Sequence, residues 1–516
     1  MQKIIDDARS KYGPVEVKRS GNNYYLSRVS SVYDPSKKRA RKISGEYLGK
    51  ITRDGLVHAR RSSAPRSVYE YGNARILYDS ASPIIDHLRE CFPYWREMLA
   101  MAIVRTIRPV PMKYLSAAWE KLYISQEMDA SLSPSTLSDV MRSIGKDWAS
   151  QRSFFVNLIK RGDKILFDLS SIFSRSENIR LAEKGYNRHR IRLQQINFAM
   201  AFSHDSGMPC VLKPLPGSLR DVKSLQYFIK EFDLSGSTLI LDRGFFSLGN
   251  VEYFLRNGIS FIQPLRRGSS IIDYTTVMHE GFVYRGRGIL QAKIDISGDL
   301  RKRISWENDT RAFLYMYEDV KLRGEEESNL ILLMREGKIK AYDRSRLGKV
   351  SLLSSLDRDP SEIYELYKER EDVEQAFDAM KNELEDDKTY LQDDESVWGY
   401  FFITFLSIYL YYSILAIIRR HDLTKGLSVN ELLLQLSRIY TVKYMDGSTG
   451  FLEIPKRVED LCKNLELDIS PKIIEMGLKI RNEAGTRSTL EQVENKVLWC
   501  LNLITVFSRL KVRLSG

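Results

Sequence analysis

The stretch YKEREDVEQAFDAMK, residues 367–381, sets five carboxylates, Glu369, Glu371, Asp372, Glu374 and Asp378, among three cations, Lys368, Arg370 and Lys381. Wound as a helix at ~100° per residue, it brings Tyr367, Arg370, Glu374 and Lys381 into one arc of about 60°. Val373, Ala376, Phe377 and Met380 supply an apolar face beside that stripe. The bland reading is a solvated stripe in which Arg370 pairs with Glu374 one turn on, a contact worth only ~0.3–0.5 kcal/mol. The sharper reading is a carboxylate that holds a metal ion. Spacing does not choose between them, and Glu371 and Asp378 sit near the same face.

Two further carboxylates stand where strands should end. Asp168 closes KILFD and Asp242 closes STLILD. If those strands are neighbours, both side chains emerge at one sheet edge, where they repel each other unless a divalent cation lies between them. The alternative for each is a turn-forming Asp. Asp242 is the more pointed case, because Arg243 and Gly244 follow it directly and a charge stands where a core has just ended.

The elements that must position these groups are legible from period and punctuation. KILFDLSSI reads as a strand, and RLQQINFAMAFSHDSGMPCVLKPLPGS as two more around the turn HDSG. DVKSLQYFIKEFD is an amphipathic helix, STLILD a short buried strand, LGNVEYFLRNG a helix with a glycine stop and ISFIQPL another strand. The order β-β-β-α-β-α-β predicts a mixed α/β sheet with helices packed on it, and it resembles the ribonuclease H-like fold. Residues 1–62 read as basic strands, and 63–160 as a helical region with DNA-binding potential. Within the latter, Ser133 is the N-cap of LSPSTLSDVMRSIG, Pro134 its first residue and Gly145 the residue just past its end. Residues 161–264 form the first part of the core, and 265–355 a β-rich insertion that includes NLILLMREGKI. Residues 356–420 complete the core, and 421–516 are mostly helical with a hairpin at YTVKYMDGSTGFLEI.

The chain has 516 residues and a formal charge of +12. Through Arg61 it carries fifteen Lys and Arg against six Asp and Glu, an excess of nine out of that twelve. Such a balance points to a polyanionic partner. Cys91, Cys210, Cys462 and Cys500 are far apart with no C-x-x-C pair, which argues against a structural zinc site and a disulfide framework. The N-terminus lacks an apolar signal segment, so a cytoplasmic location is expected. The uncharged run Val397 to Ile418 is long enough to span a membrane. Its four tyrosines and its isolation in a charge-rich chain favour a buried core helix and no membrane. No G-x-x-x-x-G-K-[ST] or G-x-G-x-x-G occurs, so no nucleotide cofactor is expected.

The motif Y-x2-R-x3-E-x6-K, matched by Tyr367, Arg370, Glu374 and Lys381, resembles the third motif of the DDE transposases of prokaryotic insertion sequences. LFDLSSI resembles their first catalytic motif, LILDRGFFS their second, and GSLRDVKSL the stretch ahead of the second. The basic strands ending in EYLGKI and the helix LSPSTLSDVMRSIG are similar to one branch of that group. The resemblance implies a ribonuclease H-like catalytic core with a β-rich insertion between Asp242 and Glu374, flanked by a β-rich N-terminal region and helical segments. It implies that Asp168, Asp242 and Glu374 are catalytic and bind two Mg²⁺ ions, with Mn²⁺ as a substitute. It makes Tyr367, Arg370, Lys381 and Arg243 DNA-binding residues. The function it implies is binding, cleavage and strand transfer of an element's inverted ends, by a homodimer on DNA. The alternatives are a Mg²⁺-dependent nuclease without strand transfer and an inactive DNA-binding descendant. Trp306 as a base-stacking residue, Arg285 and Arg287 as DNA contacts, and GYNRHR, residues 185–190, beside the site are weaker candidates, each with a structural alternative.

Overall fold

The computed structural model describes residues 2–21, 23–34, 39–52, 55–58, 65–174, 176–185, 194–219, 221–278, 280–370, 391–445 and 447–469. The chain divides into two compact units, one of residues 1–69 with 439–453 and one of residues 70–438 with 454–516.

In the smaller unit, strands Val15–Ser20, Asn23–Asp34, Arg39–Thr52 and Gly55–His58 form an antiparallel meander. Its core is Val15, Leu26, Leu48 and Ile51 with Ala8. Ala8 comes from helix Gln2–Tyr12, which corrects the all-strand reading of residues 1–62. The expected hairpin is present as Tyr440–Tyr444 and Thr449–Phe451, and Pro65–Glu70 joins it in a three-stranded sheet.

The larger unit begins with helices α1 (Gly72–Ser80), α2 (Ser82–Cys91), α3 (Trp95–Ile107), α4 (Pro134–Lys146) and α5 (Trp148–Leu158). The core elements follow as β1 (Lys164–Ser174), β2 (Gln194–Ser203), β3 (Met208–Pro216), α6 (Asp221–Phe232), β4 (Thr238–Ile240), α7 (Leu248–Arg256) and β5 (Ser260–Pro264). Next come β6 (Glu280–Tyr284), β7 (Arg287–Asp295), β8 (Phe313–Asp319), α8 (Val320–Arg335) and β9 (Lys349–Ser354). The unit continues with α9 (Pro360–Lys368), α10 (Asp394–Arg420) and α11 (Val429–Leu436).

Strands β1 to β5 stand in the order β3-β2-β1-β4-β5. β1, β4 and β5 are mutually parallel, and β2 is antiparallel to both of its neighbours. The insertion does not build a sheet of its own. β9, β8, β7 and β6 extend the same sheet from the β5 edge, all antiparallel. One segment was misread: NLILLMREGKI lies largely in helix α8, whose N-cap Asp319 accepts from the Leu322 amide at 2.9 Å. Its Ile331, Leu332 and Met334 are exposed, so an apolar cluster there imitates a strand.

Paired residues share a face of a sheet. On one face Phe198 and Phe202 of β2 meet Phe401 and Tyr412 of α10, and Tyr317 of β8 meets Tyr364 of α9. On the other, Phe167 meets Phe228 of α6, and Phe261 meets Phe254 of α7. Helix α10 is long and apolar enough to cross a membrane, yet it is mostly buried in protein. Arg105 donates to the Tyr400 hydroxyl at 3.0 Å and lies over its ring, a polar partner for one of the four tyrosines. The core-helix reading therefore holds.

Ser133 does cap α4, accepting from the Thr136 amide at 3.2 Å, but Gly145 lies inside the helix. Its role is close approach. A Cβ built on Gly145 falls 1.7 Å from the Glu395 carbonyl oxygen, and one on Gly399 falls 2.1 Å from that of Met141. Both partners are backbone, so the two helices cannot keep this crossing with any side chain there. Gly399→Ala should lower the unfolding free energy by about 1–3 kcal/mol despite the better helix propensity of Ala. An unchanged urea midpoint would contradict the crossing.

Candidate active site on neighbouring parallel strands

β1 carries Ile165, Leu166 and Phe167, all at most 1% exposed, and then Asp168. The Oδ1 of Asp168 accepts from the Leu169 amide at 2.8 Å. β4 runs beside β1 with Ile240 opposite Leu166. β1 itself runs on to Ser174 along β2, which corrects the expectation that Asp168 closes its strand. Carried two residues past the last β4 pair, the β1–β4 register would set Asp242 beside Asp168 on neighbouring strands about 4.8 Å apart. Both then belong to the face that holds Leu166 and Ile240, which α9 and α10 cover. Of the two, Asp242 is the one just past the carboxyl end of its strand, and the carboxyl ends of parallel strands are where α/β sheets hold ligands.

The sequence LDRGFF explains how Asp242 stays there. Leu241 donates to the Ile262 carbonyl at 3.0 Å, extending the β4–β5 pairing by one residue. Arg243–Phe245 then forms a 3₁₀ turn, closed by the Phe245 amide on the Asp242 carbonyl at 3.1 Å. Phe245 is buried against the ring of Phe167 at 5.2 Å, which fastens the turn to β1. Gln263 Nε2 donates to the same Asp242 carbonyl at 2.8 Å. That amide was missed from sequence, although Gln263 stands between apolar neighbours, Ile262 and Pro264.

Helix α9 opens with Pro360 at its first position, behind the N-cap Asp359, and is seated by Tyr364 among Phe282, Tyr284 and Tyr317. It ends at Lys368, so Tyr367 lies in its last turn and Arg370 just beyond. Glu369 is tied to His204 at the β2–β3 turn. Arg370 is 8% exposed, and its Nη1 donates to Asp242 Oδ1 at 2.6 Å. The described partner of Arg370 is thus a carboxylate 128 residues away in sequence. Burial pushes the Tyr367 hydroxyl above the ordinary tyrosine range. Arg243, which hydrogen-bonds to it, and Arg370 pull it back down, while Asp242 adds to the rise. Asp242, Arg243, Tyr367 and Arg370 therefore form one cluster. Glu374 and Lys381 lie outside the described residues, as does most of GYNRHR.

The other candidates lie in the insertion. Trp306 is 4% exposed, donates from Nε1 to the Thr310 carbonyl at 2.9 Å and lies under Arg301. Arg287 pairs with Asp319 at 3.0 Å, and Arg285 sits in the β6–β7 turn over Tyr284. The GSLRD stretch is held from below by two buried amides of β2. Gln195 and Asn197 donate to the Gly217 carbonyl at 3.2 and 3.1 Å, and Asn197 also to that of Leu219 at 3.1 Å. Gly217 is required there, since a Cβ would fall 1.9 Å from the Gln195 carbonyl oxygen.

Among the described residues, no group of three His, Cys, Asp or Glu converges as a metal site. The donor set still suits a hard divalent cation. Asp168 and Asp242 lie on neighbouring strands and offer hard oxygen ligands, and the buried Arg370 guanidinium holds the Asp242 carboxylate.

Comparison with known proteins agrees with these motifs. Residues 166–410 match the family described as the transposase DDE domain. No curated protein matches the chain. A solved structure, the cryo-EM structure of a piggyBac transposase synaptic complex with hairpin DNA, is 14% identical over 71% of this chain and 78% of that one, with a TM-score of 0.37. A likeness that loose carries no argument about fold. By the family match, residues 166–410, which hold Asp168, Asp242, Arg243, Tyr367 and Arg370, are similar throughout to a transposase DDE domain.

Proposed function

We propose that this chain is the transposase of a prokaryotic insertion sequence, with a ribonuclease H-like catalytic core. It binds the inverted ends of its element, cleaves them and joins the 3′-OH ends to target DNA, acting in the cytoplasm as a homodimer on DNA. What carries the reading is the parallel register of β1 and β4, which, continued by two residues, brings Asp242 beside Asp168 inside the stretch that matches the DDE domain. The strand order β3-β2-β1-β4-β5, with only β2 antiparallel to both its neighbours, supports the fold.

Asp168, Asp242 and Glu374 would hold two Mg²⁺ ions, for which Mn²⁺ can substitute. When bound, such ions activate water or a 3′-OH and offset charge on the leaving oxygen. The chain's own residues supply the rest. Tyr367, raised above the ordinary range, keeps its proton at neutral pH and donates to a phosphate oxygen. Arg243, Arg370 and Lys381 bind neighbouring phosphates, the guanidinium groups with two donors each. Arg370 reaches DNA by leaving Asp242, so a phosphate that takes the guanidinium frees the carboxylate for a metal ion.

The test is to incubate the purified protein with a plasmid carrying the DNA that flanks its gene and to map Mg²⁺-dependent breaks at nucleotide resolution. Breaks at the element's boundaries, with joined products, are expected. Scattered breaks would favour a nuclease without strand transfer, and end binding without breaks a DNA-binding descendant.

A further inference from the structure

Gln263 stands on β5 immediately behind the proposed metal ligand Asp242. Its side chain is fully buried. Nε2 donates to the carbonyls of Asp242 at 2.8 Å and Pro264 at 3.2 Å. Because both partners are acceptors, the amide cannot be turned over. Its Oε1 is consequently fixed in the interior, with no hydrogen-bond partner among the described residues. A buried acceptor left in that state carries a desolvation cost. Stability alone would be served better by an apolar side chain of the same length. The Asp242 carbonyl would lose nothing essential, since it also accepts from the Phe245 amide at 3.1 Å.

Resting on the proposed metal-binding role of Asp242, we infer that Gln263 is a positioning residue, held at a cost to stability so that the Asp242 carboxylate keeps its aim toward Asp168. β4 proper ends at Ile240, the Leu241 amide extends its pairing with β5 by one residue, and Asp242 lies just past that point. The Phe245 bond closes the turn on its far side but does not tie Asp242 to the sheet. Gln263 supplies that tie. It links the Asp242 backbone to β5, whose own register is fixed by β4 on one side and β9 on the other. Partners that orient a ligand in this way govern metal affinity without touching the metal.

The experiment measures Mn²⁺ binding to the full-length protein without DNA, from the electron paramagnetic resonance signal of free Mn²⁺, and thermal unfolding of the same samples without metal. Gln263→Met is compared with Gln263→Leu, Asp242→Asn and the wild type. The expected result for both Gln263 variants is Mn²⁺ binding weaker by about tenfold or more, with an unfolding midpoint at or above that of the wild type. Unchanged Mn²⁺ affinity in both, while Asp242→Asn binds weakly, would overturn the positioning role alone. A lowered midpoint or failure to fold in both would also overturn it, because the amide would then be structural. No Mn²⁺ binding by the wild type, or equal binding by Asp242→Asn, would remove the metal-site reading and this inference with it.

Discussion

Asp168→Asn and Asp242→Asn should each reduce Mg²⁺-dependent cleavage of the element's ends by about 10²–10⁴-fold, the equivalent of several kcal/mol of lost transition-state stabilisation. The amide keeps the shape of the carboxylate and removes its charge, so the loss reports on cation binding and not on packing. The two variants should differ in the resting protein. Asp242→Asn removes the carboxylate that Arg370 grips at 2.6 Å, leaving a guanidinium that is 8% exposed without that counter-charge. Its unfolding midpoint should therefore fall. End-labelled DNA cleavage with each variant, alongside urea unfolding, checks both statements. Wild-type cleavage by either variant would remove that residue from the catalytic set.

Arg370→Ala has the second large effect, on stability and on metal binding in opposite directions. Breaking a buried ion pair from one side costs about 3–5 kcal/mol. The Asp242 side chain keeps 28% of its exposure, so water softens the loss and about 2–3 kcal/mol is expected here. In the same variant nothing from Arg370 opposes a cation at Asp242, so added Mg²⁺ should raise the unfolding midpoint of Arg370→Ala more than that of the wild type. Midpoints with and without Mg²⁺ decide the matter. An equal Mg²⁺ shift in the two proteins would mean that Arg370 and the cation do not compete for Asp242.

Much of this arrangement was legible in the sequence because local signals and global fold agree. STLILD is short, apolar and sharply ended, so its strand and the carboxylate just past it could be read directly, whereas the strand begun by KILFD runs on through Asp168 to Ser174. What was missed is long-range or involves a conflict between local and tertiary demands. Arg370 has an i,i+4 carboxylate in Glu374, and no spacing rule could reveal its contact with Asp242. Gly145 looks like a helix stop, whereas its function is to let two helices touch at the Glu395 backbone. The NLILLMREG segment has the composition of a strand, yet its apolar residues lie exposed on α8. Gln263 was visible as a polar residue in an apolar strand, but its meaning required knowing which carbonyl lay beside it.

The central claim is that Asp168 and Asp242 belong to one metal centre. The most direct test loads the full-length protein with Fe²⁺ in place of Mg²⁺, adds ascorbate and peroxide, and maps backbone cuts by mass spectrometry. The predicted result is two clusters of cuts, near Asp168 and near Asp242, both suppressed by excess Mg²⁺ and both lost in Asp242→Asn. Cuts near only one of the two, or a pattern that Asp242→Asn leaves unchanged, would contradict it.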